Sequence, residues 1–370
     1  MTVRPDRAMP GSPASPSGST PGAALMGLRG VAALIVVAHH ILLQLGPVDG
    51  PLMGVELRGY LAVDVFFILS GFVLARAYGT WFADGGTVRE YAVFMSRRVA
   101  RVWPLHTAIL AILLLDGTVR HTGNFWPREV LTNLLLLQGW GFSQTVITPA
   151  WSVSTEVLAY ALFPLLAGVA LRRGRRLAWA GLVGAVAVLA LAVLASPGAP
   201  GQRGALDLHQ NWSLLPALRC LAGFSIGLLT WRALQDRRVW SWAAHRSAPG
   251  GVLAVFAVLL LAAAPDLALY ACFPLLIASL YASQGLITQT LSRGVFQSVG
   301  RGSYALYLVH YPLLGLAVGL VGGPRFVPVF LALLVPAVLA AYWLVERPAQ
   351  AALRRWSAVA LAPVSGLAAR

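Results

Sequence analysis

Arg29 and His40 stand eleven residues apart in the first long apolar run, which reads LRGVAALIVVAHH. On a helix, eleven residues make three turns plus about 20°, so both side chains share one face, separated by about 16 Å of rise. A cation that can hold an anion and an imidazole that can take a proton are therefore stacked along one line. Asp64 and Glu156 lie in two further apolar runs, and the threading set out below brings both to the depth of His40. A neutral His can accept the proton of an attacking hydroxyl, while a carboxylate holds its tautomer and steadies the imidazolium that forms. The chemistry is general-base catalysis, with His40 as base and Asp64 and Glu156 as catalytic carboxylates. Ser152, Glu156 and Tyr160 recur at four-residue intervals, so they form one polar stripe that faces protein rather than lipid.

Arg97, Arg98 and Arg101 precede the third apolar run. Arg98 and Arg101 fall one helical turn apart, a spacing suited to forked contacts with the phosphates of a nucleotide-like donor, of which CoA is one. Ser303, Tyr304, Tyr307, His310 and Tyr311 share a polar, aromatic face, and Tyr304, Tyr307 and His310 are expected to line an acceptor cavity. His39 points about 100° away from His40 and reads as structural, as does His106. Gly71 beside Ser70 reads as a close-packing position between helices. Cys220 and Cys272 are the only cysteines and both sit inside apolar runs, so neither a disulfide framework nor a metal site is expected.

The elements that must position these groups follow from composition. At 58% hydrophobic and 11% charged, the 370-residue chain carries more apolar surface than one soluble core can hide, and its solvent must be lipid. The net charge of +15 is spread in short arginine clusters between apolar runs, a topology signal rather than a nucleic-acid surface. A crossing needs about 20 apolar residues; runs near that length recur at 26–46, 59–77, 100–117, 151–171, 177–195, 213–231, 249–264, 267–283, 302–322 and 326–345. The expected fold class is all-α, a polytopic membrane bundle of about ten transmembrane helices. Residues 129–140 form one further apolar run, too short to cross and read as re-entrant or interfacial. Thr148 and Pro149 supply an N-cap and a first-turn proline for the span that carries Glu156.

Arg172, Arg173, Arg175 and Arg176 make the densest basic loop, which the positive-inside rule places in the cytoplasm. Alternation then puts Arg97, Arg98, Arg101, Arg354 and Arg355 on the same side, and only Arg58, Arg120, Arg128, Arg203 and Arg325 outside. Both termini are cytoplasmic in this threading. Residues 1–24, rich in Pro, Gly and Ser, read as a disordered cytoplasmic tail. The transmembrane domain spans 25–350, and 351–370 is a short cytoplasmic tail.

Six segments together resemble the acyltransferase family 3 membrane proteins, which O-acylate bacterial surface polysaccharides and some secreted glycosides and macrolides. They are LRGVAALIVVAHH (28–40), VDVFFILSGFVLA (63–75), RRVARVWPLH (97–106), PAWSVSTEVLAYALFP (149–164), GRGSYALYLVHYP (300–312) and YWLVERP (342–348), in the family's order. The resemblance implies that His40 is catalytic, that Arg29 is essential near the acyl donor, that Arg98 and Arg101 bind CoA from the cytoplasm, and that Glu156 assists. It implies an acyl-CoA-dependent O-acyltransferase in the cytoplasmic membrane. Acyl-CoA, most simply acetyl-CoA, is then co-substrate with no permanently bound cofactor, and the acceptor is a carbohydrate, glycolipid or glycosylated small molecule. The sequence leaves two other readings open: a transporter or flippase of a glycan or lipid-linked sugar, whose buried charges mark a path rather than a reaction, and an assembly subunit in which His40 and Arg98 are replaceable.

Overall fold

Backbone immersed in lipid has no water to satisfy it, so each apolar run must close its own hydrogen bonds as helix. The computed structural model, which describes residues 22–47, 50–83, 85–119, 125–172, 175–195, 203–208 and 213–352, contains helices and no strand among those residues. Residues 1–21 and 353–370 of the expected tails, together with Arg120, Arg173, Arg354 and Arg355, lie outside the described residues.

In chain order the helices are α1 (Ala23–Leu45), α2 (Pro51–Arg58), α3 (Ala62–Phe82), α4 (Val88–Val119), α5 (Pro127–Leu134), α6 (Ala150–Ala161), α7 (Phe163–Leu171), α8 (Arg175–Leu194) and α9 (Leu215–Ala233). They continue as α10 (Arg237–Ala243), α11 (Ala248–Leu261), α12 (Asp266–Ala282), α13 (Leu286–Leu291), α14 (Gly294–Arg301), α15 (Ser303–Val321) and α16 (Phe326–Ala340), the last running on into a π-helical turn, Ala341–Glu346.

Among the described residues, five helical stretches are long and apolar enough to cross a bilayer: Ala23–Leu45, Leu52–Phe82, Val88–Gly117, Ser303–Val321 and Gly323–Ala352. Two bent pairs raise the number to seven if each counts as one span, α6 with α7 at 63° and α9 with α10 at 102°. Ala180–Leu194, Ala248–Leu261 and Asp266–Ala282 are shorter apolar helices. The bend between α6 and α7 has a chemical cause. Pro164 lies in the first turn of α7, where it lacks the N–H that would bond to Tyr160 and its ring clashes with that carbonyl. Residues 129–140 form α5 and a single tight turn, Gln138–Trp140, rather than a continuous helix. At the start of α6 the expectation is corrected: Pro149 itself occupies the N-cap position and no side chain caps the helix.

The outer surface is apolar where lipid would meet it, with Ile112, Leu115, Val183, Leu191, Val258, Leu320 and Val335 all exposed. Inside, α3 and α9 share the most extensive contact among the described helices, and each offers a glycine to the other's backbone. A Cβ at Gly71 would collide with the carbonyl oxygen of Phe224, and one at Gly227 with that of Ile68. Gly71→Ala or Gly227→Ala must therefore push the helices apart, and is expected to lower stability in detergent by about 1–3 kcal/mol. Thermal unfolding checks this, with Gly251→Ala, where an added Cβ meets nothing within 4 Å, as the silent control.

Candidate active site

A cavity of about 240 Å³ lies among α1, α3, α4, α6 and α15. Arg29 enters it from α1, Ser70 and Arg76 from α3, Arg98 and Arg101 from α4, Ser152, Glu156 and Tyr160 from α6, and Tyr304 and Tyr307 from α15. Phe66, Phe67, Phe72, Val102 and Val153 make the apolar wall between them. Four guanidinium groups thus face one carboxylate, a balance that favours an anionic ligand. Arg98 lies against the Tyr78 ring, 5.6 Å from its centroid, and its buried Nε has no hydrogen-bond partner. A buried charged donor left unmade is costly, and an anion in the cavity would satisfy it. Arg97 is not among the lining residues.

Around the arginines the tyrosines are fixed by hydrogen bonds. The Tyr304 hydroxyl donates to the carbonyl of Val102 at 2.5 Å, and that of Tyr160 lies beside Glu156 and Ser70. Glu346, buried on the π-helical turn, packs against α4 and α15 and puts its charge beside Arg101 and Tyr304. At the other end, the Ser152 and Tyr307 hydroxyls lie 2.7 Å apart and both reach the carbonyl of Pro149, at 3.0 and 3.1 Å.

One turn beyond Tyr307 on α15 stands His310, its ring centroid 6.1 Å away. His310 Nε2 is 3.2 Å from His40 Nδ1. The backbone assigns both tautomers. His40 Nδ1 lies 2.9 Å from the carbonyl of Val36, and His310 Nδ1 lies 3.2 Å from that of Leu306. A carbonyl only accepts, so each Nδ1 carries the proton. His310 Nε2 is then bare and shares the His40 Nδ1–H with Val36. The same assignment leaves His40 Nε2 without a proton, on a half-buried ring that meets Tyr311 edge to face at 5.1 Å. His39, buried on the next face of α1, is held by the carbonyl of Val55 at 3.1 Å.

The three residues expected to share one layer are thus divided. Glu156 lies in the cavity with the arginines, and His40, His310 and Asp64 do not line it. The expected approach of Asp64 to His40 is replaced by a salt bridge in which Arg219 of α9 donates to both oxygens of Asp64, at 2.9 and 2.7 Å, and to the carbonyl of Tyr60 at 3.1 Å. Nearby, Asp266 accepts from Arg58, from the Tyr60 hydroxyl at 2.7 Å and from the backbone of Leu206 at 2.8 Å. Arg76 and Arg219 were not singled out from the sequence. A lone arginine inside the apolar run 213–231 is itself the signal that marks Arg219, whereas Arg76, near the end of its helix, looks like any interfacial anchor. Among the described residues no group of three or more His, Cys, Asp or Glu is placed to hold a metal ion.

Over residues 23–346 the chain matches the family model Acyl_transf_3, described as an acyltransferase domain. It is 34% identical over 332 residues to acyltransferase MdmB of Streptomyces mycarofaciens, covering 81% of this chain and 80% of that protein. To the putative peptidoglycan O-acetyltransferase YrhL of Bacillus subtilis (strain 168) it is 24% identical over 366 residues, covering 88% of this chain and 54% of that protein. A shorter match, 32% over 163 residues, links 38% of the chain to 78% of protein 2 in the picA locus of Rhizobium radiobacter. No solved structure matches.

Proposed function

The chain belongs to the acyltransferase family, and from that premise we propose that it moves an acyl group, most simply acetyl, from acyl-CoA in the cytoplasm to a hydroxyl of a carbohydrate or glycosylated acceptor. One observation carries the reading: the cavity that gathers Arg29, Arg76, Arg98 and Arg101 ends at Tyr307, one turn from the His310–His40 pair. Phosphates of the donor pair with the arginines and fill the vacancy at Arg98 Nε. Arg29 and His40 lie about 16 Å apart along α1, a distance of the order that an extended pantetheine arm covers. The Ser152–Tyr307 pair stands across that route and supplies hydroxyls to the thioester end.

At His40, Nε2 takes the proton of the acceptor hydroxyl. The oxygen attacks the thioester carbonyl carbon, the tetrahedral intermediate collapses with cleavage of the C–S bond, and the departing thiolate recovers the proton from His40 Nε2. Ester and free CoA thiol are the products, and no charge is left on the protein. In this reading the two bent pairs and three shorter apolar helices cross as well, giving the ten-span threading with both termini and the arginine cavity on the cytoplasmic side. The acceptor class rests on the resemblance and on the naming of YrhL as a putative peptidoglycan O-acetyltransferase.

The test is transfer of radiolabel from acetyl-CoA, in inverted membranes, to extracted envelope glycans and secreted glycosylated metabolites. Label in either fraction that depends on the protein is the expected result; no transfer from acetyl-CoA or longer acyl-CoAs to any fraction would overturn the reading in favour of transport. Arg98→Ala and Arg101→Ala should each raise the KM for acetyl-CoA about ten- to hundredfold, the effect of losing a hydrogen bond to a charged group. An unchanged KM would make them topology anchors only.

A further inference from the structure

We infer that His310 is the positioning residue of His40, accepting its Nδ1–H and so standing where a carboxylate stands in a serine-hydrolase triad. The inference rests on the reading of His40 as the base and deepens it. His40 Nδ1 and His310 Nε2 are 3.2 Å apart with ring centroids 5.1 Å apart. His310 is fully buried, and its remaining nitrogen is committed to the carbonyl of Leu306. It therefore has one available role toward His40, that of acceptor. Neither sequence-expected carboxylate takes that role: both oxygens of Asp64 are bonded to Arg219, and Glu156 lies in the arginine cavity, which His40 does not line.

The arrangement has a reason in the solvent. A carboxylate facing His40 would be a second charge to bury in the bundle, at a cost that only a full set of partners offsets. A neutral imidazole acceptor orients the base and leaves the resting pair uncharged. Val36, one turn back on α1, holds the same proton at 2.9 Å, so the His40 ring is fixed from its own helix and from α15 at once. When His40 Nε2 receives the acceptor's proton, the Nδ1–H bond to His310 shortens against the new positive charge. The proton on Nε2 is then returned to the leaving thiolate, and His310 ends the cycle as it began.

Two measurements test this. In protein carrying isotope-labelled histidine nitrogens, nuclear magnetic resonance should show a coupling across the hydrogen bond between His40 Nδ1 and His310 Nε2, lost in either His40→Ala or His310→Leu. Absence of that coupling in the wild type would overturn the pairing whether or not transfer is seen. In the acetyl-CoA transfer assay, His310→Leu should lower kcat roughly tenfold or more with the KM for acetyl-CoA unchanged. His310→Gln, which restores an acceptor without an imidazole, should recover most of that loss. If His310→Leu keeps kcat within about twofold of wild type while His40→Ala is inactive, or if Gln is as damaged as Leu, the positioning role falls and the base survives. If His40→Ala itself transfers normally, the base reading falls and takes this inference with it.

Discussion

Arg219→Ala should leave little protein that migrates as a single species in detergent, because it strands Asp64 as an unpaired carboxylate at 0% exposure in the middle of the bundle. Arg219 is itself only 1% exposed and donates to both Asp64 oxygens and to the Tyr60 carbonyl. Breaking a buried pair by removing one partner costs about 3–5 kcal/mol, a large share of the roughly 5–15 kcal/mol that holds a domain. Asp64→Ala should do comparable damage by stranding the guanidinium. The double replacement Asp64→Leu with Arg219→Met should recover much of the loss, since the penalty belongs to the orphaned charge rather than to the missing bond. Arg219→Lys should fall between, because a single ammonium cannot make the forked contact and reach Tyr60 as well. Size-exclusion profiles and thermal unfolding of the four variants measure this; an Arg219→Ala protein that melts with the wild type would show that the pair does not hold the fold.

The second large effect is catalytic. His40→Ala should reduce acetyl transfer by about 10²- to 10⁴-fold, the range a positioned general base contributes. The melting temperature and the KM for acetyl-CoA should stay close to wild type, because the half-buried His40 ring adds only one shared hydrogen bond to α15 and does not line the arginine cavity. Such a loss in kcat alone marks an interaction made in the transition state. A parallel rise in KM would move His40 to donor binding, and unaltered transfer would remove it from the reaction. The contrast between the two predictions separates the residues that sequence reasoning had grouped: Asp64 variants fail by unfolding, His40 variants by rate.

Much of the arrangement was legible in the chain because it follows from periodicity. The runs of apolar residues marked the helices, and one-turn spacings placed Arg98 with Arg101 and Tyr304 with Tyr307 before any neighbour was known. The same polar stripes, together with Arg29 and Glu156, meet in one cavity. What periodicity does not carry is which helices touch. Arg219 and Asp64 are 155 residues apart and His310 and His40 are 270 apart, and both pairings depend on α9 lying against α3 and α15 against α1. Depth alone made His40, Asp64 and Glu156 look like neighbours. Each helix also has a direction around its axis, and a carboxylate at the right depth on the wrong side meets a different partner. The glycines of α3 and α9 held part of that information, since small residues on two helices are what permits them to meet. Without knowing that Gly71 and Gly227 oppose each other's backbones, the sequence could not assign Arg219 to Asp64.

The π-helical turn at Ala341–Glu346 makes the last long helix a splice of two angular frames. Its wider turn sets everything after it out of phase with what precedes it, and such turns concentrate at functional sites. The apolar face of α16 can therefore follow its neighbours while Glu346 still arrives beside Arg101 and Tyr304. Deleting one residue from the turn would leave the hydropathy profile of the span almost untouched. It would nonetheless swing Glu346 by about 100° around the helix and carry its carboxyl group away from Arg101 and Tyr304. A variant of that kind would look conservative in every property that composition measures and would alter the electrostatic balance of the cavity.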